Sequence, residues 1–90
     1  MYANKEAKDY NADYILIDGD KTYICRLNPG KVDKTSAEPI ENQDVWNISL
    51  IEKQTTDDGD VVTTKYPNGQ SSLYNFRASA VKTYNYEYQK

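Results

Sequence analysis

The segment VWNISLIEK, residues 45–53, decides the fold, because it carries the strongest strand pattern in the chain. Large apolar side chains recur at every second position, which is the spacing of one face of a β-strand. The residues of this face are Trp46, Ile48 and Leu50. The opposite face carries Asn47, Ser49 and Ile51. We expect Trp46 to lie at the centre of the core, with Ile48 and Leu50 beside it.

Two strands are predicted upstream of this segment. Residues 12–18 contain a short apolar run, a turn sequence follows at Asp18-Gly19, and residues 21–27 alternate again, so the two segments should form a hairpin. From this hairpin we assign Ile15 and Ile24 to the core. Residues 28–30, Asn-Pro-Gly, end the second strand.

Three more strands are predicted downstream. An Asp- and Gly-rich turn at residues 56–60 leads into a strand over residues 61–66, and Asn68-Gly69 favours a tight reversal into a strand over residues 71–76. Phe76 closes that strand and is assigned to the core. Residues 77–81 are expected to form one helical turn or a bulge. The last strand is predicted over residues 83–88, with Tyr84, Tyr86 and Tyr88 on one side.

Together these elements predict an all-β fold, a small antiparallel meander of about six strands in a curled sheet or small barrel. Residues 12–90 form the single β-rich domain, since 90 residues enclose one modest core. Residues 1–11 are polar and are expected to form an N-terminal arm. Residues 31–44 show no periodicity and form the longest loop.

The aromatic composition is unusual, with nine tyrosines against one phenylalanine and one tryptophan. Tyrosine combines an apolar ring with a hydroxyl that tolerates water, which suits both a half-buried sheet surface and a protein interface. Either role is open for these residues. The residues that we single out for partner binding are Tyr2, Tyr10, Tyr84, Tyr86 and Tyr88.

The chain offers little for catalysis or for cofactors. It has no histidine, its one cysteine is Cys25 within an apolar run, and its Asp clusters coincide with turns, where Asp bonds to the local backbone. Zinc needs about four nitrogen or sulfur ligands, and an EF-hand calcium loop needs a spacing that residues 57–60 do not have. We therefore expect no enzyme activity, no metal and no cofactor.

Charge and hydropathy exclude two classes of partner. The formal charge is −3, and the eleven scattered Lys and Arg residues form no basic face, so nucleic acid is not expected. The longest apolar run, residues 14–17, is far shorter than the ~20 residues that span a bilayer. The polar residues 1–8 do not resemble a signal peptide, so we expect a protein made in a cytoplasm.

A series of landmarks occurs in a characteristic order over about three quarters of the chain. They are Tyr23-Ile24-Cys25, Asn28-Pro29-Gly30, Trp46-x-Ile48-x-x-Ile51, Gly59, Pro67-Asn68-Gly69, Asn75-Phe76-Arg77-Ala78-Ser79 and Tyr84-x-Tyr86. In this order the chain resembles a loose family of short β-rich proteins encoded among the virion structural proteins of tailed bacteriophages. It departs from that pattern at Cys25, where glycine is more usual, and in the enlarged loop over residues 31–44.

The resemblance implies a structural subunit of the virion, such as a head fibre, a head decoration (capsid) protein or a tail-associated protein. Such a subunit acts by protein–protein interaction with other virion proteins, forms a homo-oligomer, and is located in the virion after synthesis in the host bacterial cytoplasm. Two alternatives remain open: an intracellular phage inhibitor that binds a host protein, and a small carbohydrate-binding module. An acidic surface motivates the first alternative, and the surplus of tyrosine motivates the second.

Overall fold

Six strands form one antiparallel sheet in the computed structural model, which describes residues 14–90. The strands are β1 (Tyr14–Asp18), β2 (Lys21–Leu27), β3 (Asp44–Thr56), β4 (Gly59–Pro67), β5 (Phe76–Arg77) and β6 (Tyr86–Glu87). Short 3-10 helices occupy Pro29–Lys31, Ile40–Asn42 and Ala78–Thr83. The all-β prediction is confirmed. No helix within residues 14–90 is long and apolar enough to cross a membrane.

Strand β3 is the spine of the sheet. It is 13 residues long and contains neither Gly nor Pro, so each of its residues can donate to the backbone ladder. It pairs with β2 on one side; on the other side it pairs with β4 along its second half and with β5 near its start. Its pairing with β5 is irregular, with a register shift between Asp44 and Trp46. The order across the sheet is β1-β2-β3-β4-β6.

The sheet is open rather than closed, so the small-barrel alternative is wrong. Closure would require β1 to pair with the far edge, but β1 pairs with β2 alone among the described strands. At the other edge, β6 contributes only two paired residues, opposite Tyr66 and Pro67 of β4. A two-residue strand at one end of β4 leaves most of that edge unpaired.

The Asn68-Gly69 turn forms as predicted, with positive φ at both residues (53° and 74°). The strand expected after it does not form. Only Phe76–Arg77 is extended, and it pairs with β3 instead of β4. The physical reason is competition: β6 already pairs with the end of β4, and the Asn47 side-chain amide donates to the carbonyls of Ser71 and Leu73 (2.9 and 3.0 Å).

The remaining two expectations differ in outcome. The helical turn predicted over residues 77–81 is confirmed by the 3-10 helix Ala78–Thr83. The last strand is shorter than the predicted residues 83–88 and comprises only Tyr86–Glu87. The strand cannot begin before Tyr86, because Tyr86 pairs with Pro67 and β4 ends at Pro67.

The core lies on one face of the sheet, centred on β2 and β3. The buried apolar residues are Tyr23, Cys25, Val45, Trp46, Ile48, Leu50, Phe76, Ala78 and Val81. The predicted core residues Trp46, Ile48, Leu50 and Phe76 are thus confirmed as buried. The 3-10 helix Ala78–Thr83 covers this face through Val81, and the Trp46 indole donates to the Ile40 carbonyl of the long loop (3.0 Å).

The assignment of Ile15 and Ile24 to the core is wrong. Ile15 is 50% exposed and Ile24 is only half-buried. The register pairs Ile15 with Ile24 and Ile24 with Ser49, which places all three on the face opposite Trp46. Their neighbours Tyr23 and Cys25 point into the core instead.

Candidate interaction surface

The tyrosines chosen for partner binding have different positions in the structure. Tyr2 and Tyr10 lie outside the described residues. Tyr84 packs against the core, its ring centroid 5.2 Å from that of Phe76, and its hydroxyl accepts a hydrogen bond from the Arg77 backbone N–H (2.8 Å). These contacts hold Tyr84 within its own chain.

Tyr86 is held by contacts within its own chain, as Tyr84 is, whereas Tyr88 is largely exposed. The Tyr86 ring lies 5.6 Å from the Tyr23 ring, and its hydroxyl donates to the Val81 carbonyl (2.6 Å). Tyr88 is 61% exposed, with the Lys65 ammonium 5.2 Å from its ring centroid. The three residues therefore do not form one exposed aromatic row, and only Tyr88 presents most of its ring to solvent.

Burial also controls the ionisation of the one thiol, that of Cys25. Cys25 is fully buried within the core, and desolvation of the thiolate raises its pKa from 9.0 to about 12. Burial likewise raises the pKa of the Tyr86 phenol above its usual range. Both groups remain neutral in the folded protein at any physiological pH, so Cys25 acts there as a small apolar side chain.

The stability of the protein should therefore fall in alkaline solution. Because the folded pKa of Cys25 is raised, its contribution is fully present below the unfolded pKa of 9.0 and is lost as the pH rises through the folded value of about 12. By pH 10 the ionised unfolded thiol should lower the free energy of unfolding by about 1.4 kcal/mol. Urea unfolding at pH values from 7 to 10.5 measures this fall in the free energy of unfolding. In the folded protein, Cys25 should also resist thiol reagents at pH 8.

Cys25→Ala is the control for this prediction. The variant is less stable because of the cavity that it leaves, but its stability should change less between pH 8.5 and 10 than that of the parent chain. Rapid labelling of Cys25 in the folded protein would contradict the prediction, and so would an unchanged pH dependence in the variant.

The face opposite the core carries a stripe of aliphatic side chains, which we call the aliphatic face. Its residues are Ile15, Ile17, Ile24, Ile51 and Val62. Ile17 is 69% exposed and Val62 is 60% exposed. The register across β1, β2 and β3 aligns Ile17 with Thr22 and Ile51, so the stripe crosses strands without a charged residue in that row. A cluster of exposed aliphatic residues in one patch is typical of an interaction surface.

Polar groups border the aliphatic face at both ends. At one end the segment around Ser71 folds over the sheet, held by Asn47, and Arg26 donates to the Ser49 hydroxyl (3.3 Å). At the other end Lys53 forms an ion pair with Asp60 (3.5 Å). An apolar centre inside a polar rim is the common arrangement of protein–protein interfaces.

Among the described strands, β1 is an edge beside this face, because only β2 pairs with it. The two-residue turn makes Asp18 and Lys21 the closing pair, which exchanges hydrogen bonds in an antiparallel hairpin. Since hydrogen-bonded pairs alternate along the ladder, the backbone N–H and C=O groups of Ile15 and Ile17 point away from β2. Native edges are commonly protected by charged side chains, Pro or a bulge; YILID contains no Pro and no bulge, and its one charged residue is Asp18 at the turn.

A second surface lies on the core face, beyond the core, near the β3–β4 turn. It is a shallow groove of about 380 Å³. The lining residues are Asp20, Glu52, Lys53, Gln54, Val61, Thr63, Lys65 and Tyr88. Lys65 forms an ion pair with Glu52 (3.4 Å) and faces the Tyr88 ring, so the groove combines one aromatic platform with polar side chains.

The Asp-rich turn at residues 57–60 is held by local bonds. The Thr56 hydroxyl donates to the Gly59 carbonyl (2.7 Å), and the Thr55 hydroxyl donates to the Asp60 carboxylate (3.0 Å). Within the described part of the chain, no group of three or more His, Cys, Asp or Glu side chains is placed to hold a metal ion.

Comparison with known proteins identifies no relative: no protein family matches the chain, and neither the curated proteins nor the solved structures contain a match. Sequence patterns alone do not reveal the aliphatic face, because they assign two of its isoleucines, Ile15 and Ile24, to the core. The available signal was the hairpin register, since a two-residue turn after Asp18 fixes Ile15 opposite Ile24.

Proposed function

We propose that this chain is a structural subunit of a tailed-bacteriophage virion that acts by protein–protein contact with other virion proteins. The observation that supports this best is the aliphatic face beside the open edge of β1. Ile15, Ile17 and Val62 expose between 50% and 69% of their surfaces to solvent. A second protein that covered them would remove apolar area from water, and each Å² removed is worth about 25 cal/mol.

The sequence resemblance supports the same proposal from a different direction. Its landmarks fall on features that position the chain: Asn28-Pro29-Gly30 at the first 3-10 helix, Trp46 in the core and Asn68-Gly69 at a tight turn. Because these positions set a helical turn, the core and a tight turn, the resemblance supports a β scaffold of the same kind.

Chain size is a third argument. A core of this size supplies roughly 3–5 kcal/mol of net stability, and Cys25 is buried without a second cysteine to bridge. Binding to neighbours in a particle stabilises the folded state by mass action, which compensates for a small core. Contacts with neighbouring subunits can therefore take the place of an internal cross-link.

The test is mass spectrometry of purified particles from the phage that encodes this chain. We expect the protein in several copies per particle. Deletion of residues 1–11 should abolish incorporation while the isolated domain keeps its circular-dichroism spectrum and melting temperature, because the arm precedes every strand described. A variant with the same eleven residues in scrambled order is the matched control for the loss of length and charge.

The outcomes separate the alternatives. Absence of the chain from particles would refute the proposal, and co-purification with a bacterial protein from infected cells would favour the inhibitor. Normal incorporation of the deletion variant would show that residues 1–11 are not required for attachment to the particle. Substrate turnover by the purified chain would contradict a purely structural role.

The groove beside Tyr88 favours one second candidate, carbohydrate binding. A tyrosine ring that is largely exposed can stack on a sugar ring, and the adjacent Thr63, Gln54 and Glu52 side chains can bond to hydroxyls. Glycan binding that survives Tyr88→Phe but not Tyr88→Ala would favour this function over the first.

A further inference from the structure

We propose that two copies of this chain associate through antiparallel pairing of β1 with β1, about a two-fold axis at Leu16, so that the sheet continues from one copy into the next. This inference deepens the proposed function and relies on it only for its biological meaning. The occupant of the open edge is thus a second copy of the same chain.

The backbone of β1 is prepared for such pairing. Ile15 and Ile17 direct their N–H and C=O groups to the open side, as the β1–β2 ladder requires. In a two-fold pair centred on Leu16, Ile15 lies opposite Ile17 of the second copy, and Ile17 lies opposite Ile15 of the second copy. Both pairs exchange two hydrogen bonds, which gives partners to four donors and four acceptors on the outer sides of the two β1 strands.

The side chains are self-complementary in the same register. Ile15 and Ile17 of both copies meet on the aliphatic face and form a cluster of four isoleucines. A two-fold interface needs one patch that fits itself, and the symmetric Ile-Leu-Ile sequence at residues 15–17 provides it. Moving the axis to Ile15 or Ile17 leaves one isoleucine of each copy without its counterpart.

Charge also favours this register. Asp18 is the one charged residue of β1, and it is bonded to Lys82 of its own copy (2.8 Å), which lowers the pKa of its carboxyl. The axis at Leu16 places Asp18 opposite Tyr14 of the second copy, so the two Asp18 carboxylates do not face each other. No like charges meet along the paired strands, although each copy carries a net charge of −3.

The size of the contact sets the expected affinity. Five residues from each copy bury much less than the roughly 1,200–2,000 Å² of a standard stable interface. We therefore expect a dissociation constant on the order of 10–100 μM, which a particle would strengthen by holding the copies at high local concentration. The association should be reversible and dependent on concentration.

The experiment is sedimentation analysis of the full chain over concentrations from micromolar to millimolar. We expect a monomer–dimer equilibrium. Ile15→Pro should weaken dimerisation at least tenfold, because proline removes the outward N–H while leaving the β1–β2 bonds in place. Ile17→Lys should have a similar effect, because it places a charged side chain on the edge, opposite Ile15 of the second copy and inside the isoleucine cluster. Circular dichroism and the resistance of Cys25 to thiol reagents show that each variant is folded.

Val62→Lys is the matched control. Val62 belongs to the same aliphatic face and is about as exposed as Ile17, but it lies on β4, three strands away from the β1 edge. Edge pairing predicts that this variant dimerises as the parent does. Loss of dimerisation in Val62→Lys would overturn the proposal, because it would show that the aliphatic faces stack instead.

Amide exchange provides a readout that does not rely on substitution. The amides of Ile15 and Ile17 should exchange at least tenfold more slowly at millimolar than at micromolar concentration. A strict monomer at every concentration, or exchange that is independent of concentration, would overturn the proposal. If the chain is found in particles but is monomeric in solution, this inference alone is refuted. If the chain dimerises but is absent from particles, the proposed function alone is refuted.

Discussion

Replacement of Trp46 by alanine is expected to unfold most of the protein at 25 °C. The side chain is fully buried at the centre of the core, its ring lies 6.2 Å from that of Tyr14, and its indole donates to the Ile40 carbonyl (3.0 Å). Truncation of a buried tryptophan costs about 3–5 kcal/mol. A core of this size provides roughly the same amount of net stability, so little remains.

Urea unfolding followed by far-ultraviolet circular dichroism measures the effect. Trp46→Phe should remain folded with an intermediate loss, because it retains an aromatic ring and loses the indole hydrogen bond that ties the long loop to β3. Tyr88→Ala is the control for removing a large ring from a largely exposed position, and it should change stability by only about 0.5 kcal/mol. Similar losses at Trp46 and Tyr88 would contradict the position of the core.

Replacement of Gly69 by alanine should selectively release the C-terminal strand. Gly69 has a φ of +74°, and a Cβ there would lie 2.8 Å from the Tyr88 carbonyl oxygen and 2.7 Å from Lys90 Cγ. The Lys90 side chain can move, but the Tyr88 carbonyl belongs to a backbone segment fixed by the bond from the Lys90 N–H to the Gly69 carbonyl (3.1 Å). Relief of the clash therefore requires that β6 move away from β4.

Gly19→Ala is the matched control, because Gly19 has a φ of +61° but open space around the added Cβ. It should cost only the roughly 1–2 kcal/mol of a left-handed residue. Gly69→Ala should cost about 1–2 kcal/mol more in urea unfolding, in line with backbone strain at a crowded position. Amide exchange at Asn68, whose N–H donates to the Asn85 carbonyl (2.7 Å), should accelerate only in the Gly69 variant. Equal effects of the two substitutions would show that crowding by the C-terminal segment is unimportant.

Displacement of β6 also has a structural consequence for the groove. Tyr88 follows β6 directly and lines the groove with Lys65 and Thr63. If the C-terminal segment separates from β4, the aromatic platform separates from its polar neighbours. Gly69→Ala thus tests whether the groove depends on the position of the C-terminal segment, without changing the identity of any residue that lines it.

Local patterns predicted much of the fold. Alternation in residues 45–53 identified β3 and its buried side, the Gly19 and Gly59 turns delimited two hairpins, and Asn68-Gly69 formed the tight turn expected of that pair. These predictions were correct because each depends on neighbours within a few residues. The same reasoning could not find the candidate site, since the aliphatic face joins residues from four strands.

The amino-acid sequence by itself determined that β1 to β4 extend, where the chain turns between them, and which side chains share one face of each of these strands. Only the tertiary structure decided which of those faces meets the core. In β2, Tyr23 and Cys25 align with Leu50 and Ile48, whereas Ile24 aligns with Ser49 and turns outward with Ile15. The physical reason is that a side-chain period of two leaves both faces equivalent until pairing with another strand fixes the register, and a shift of one residue exchanges core and surface.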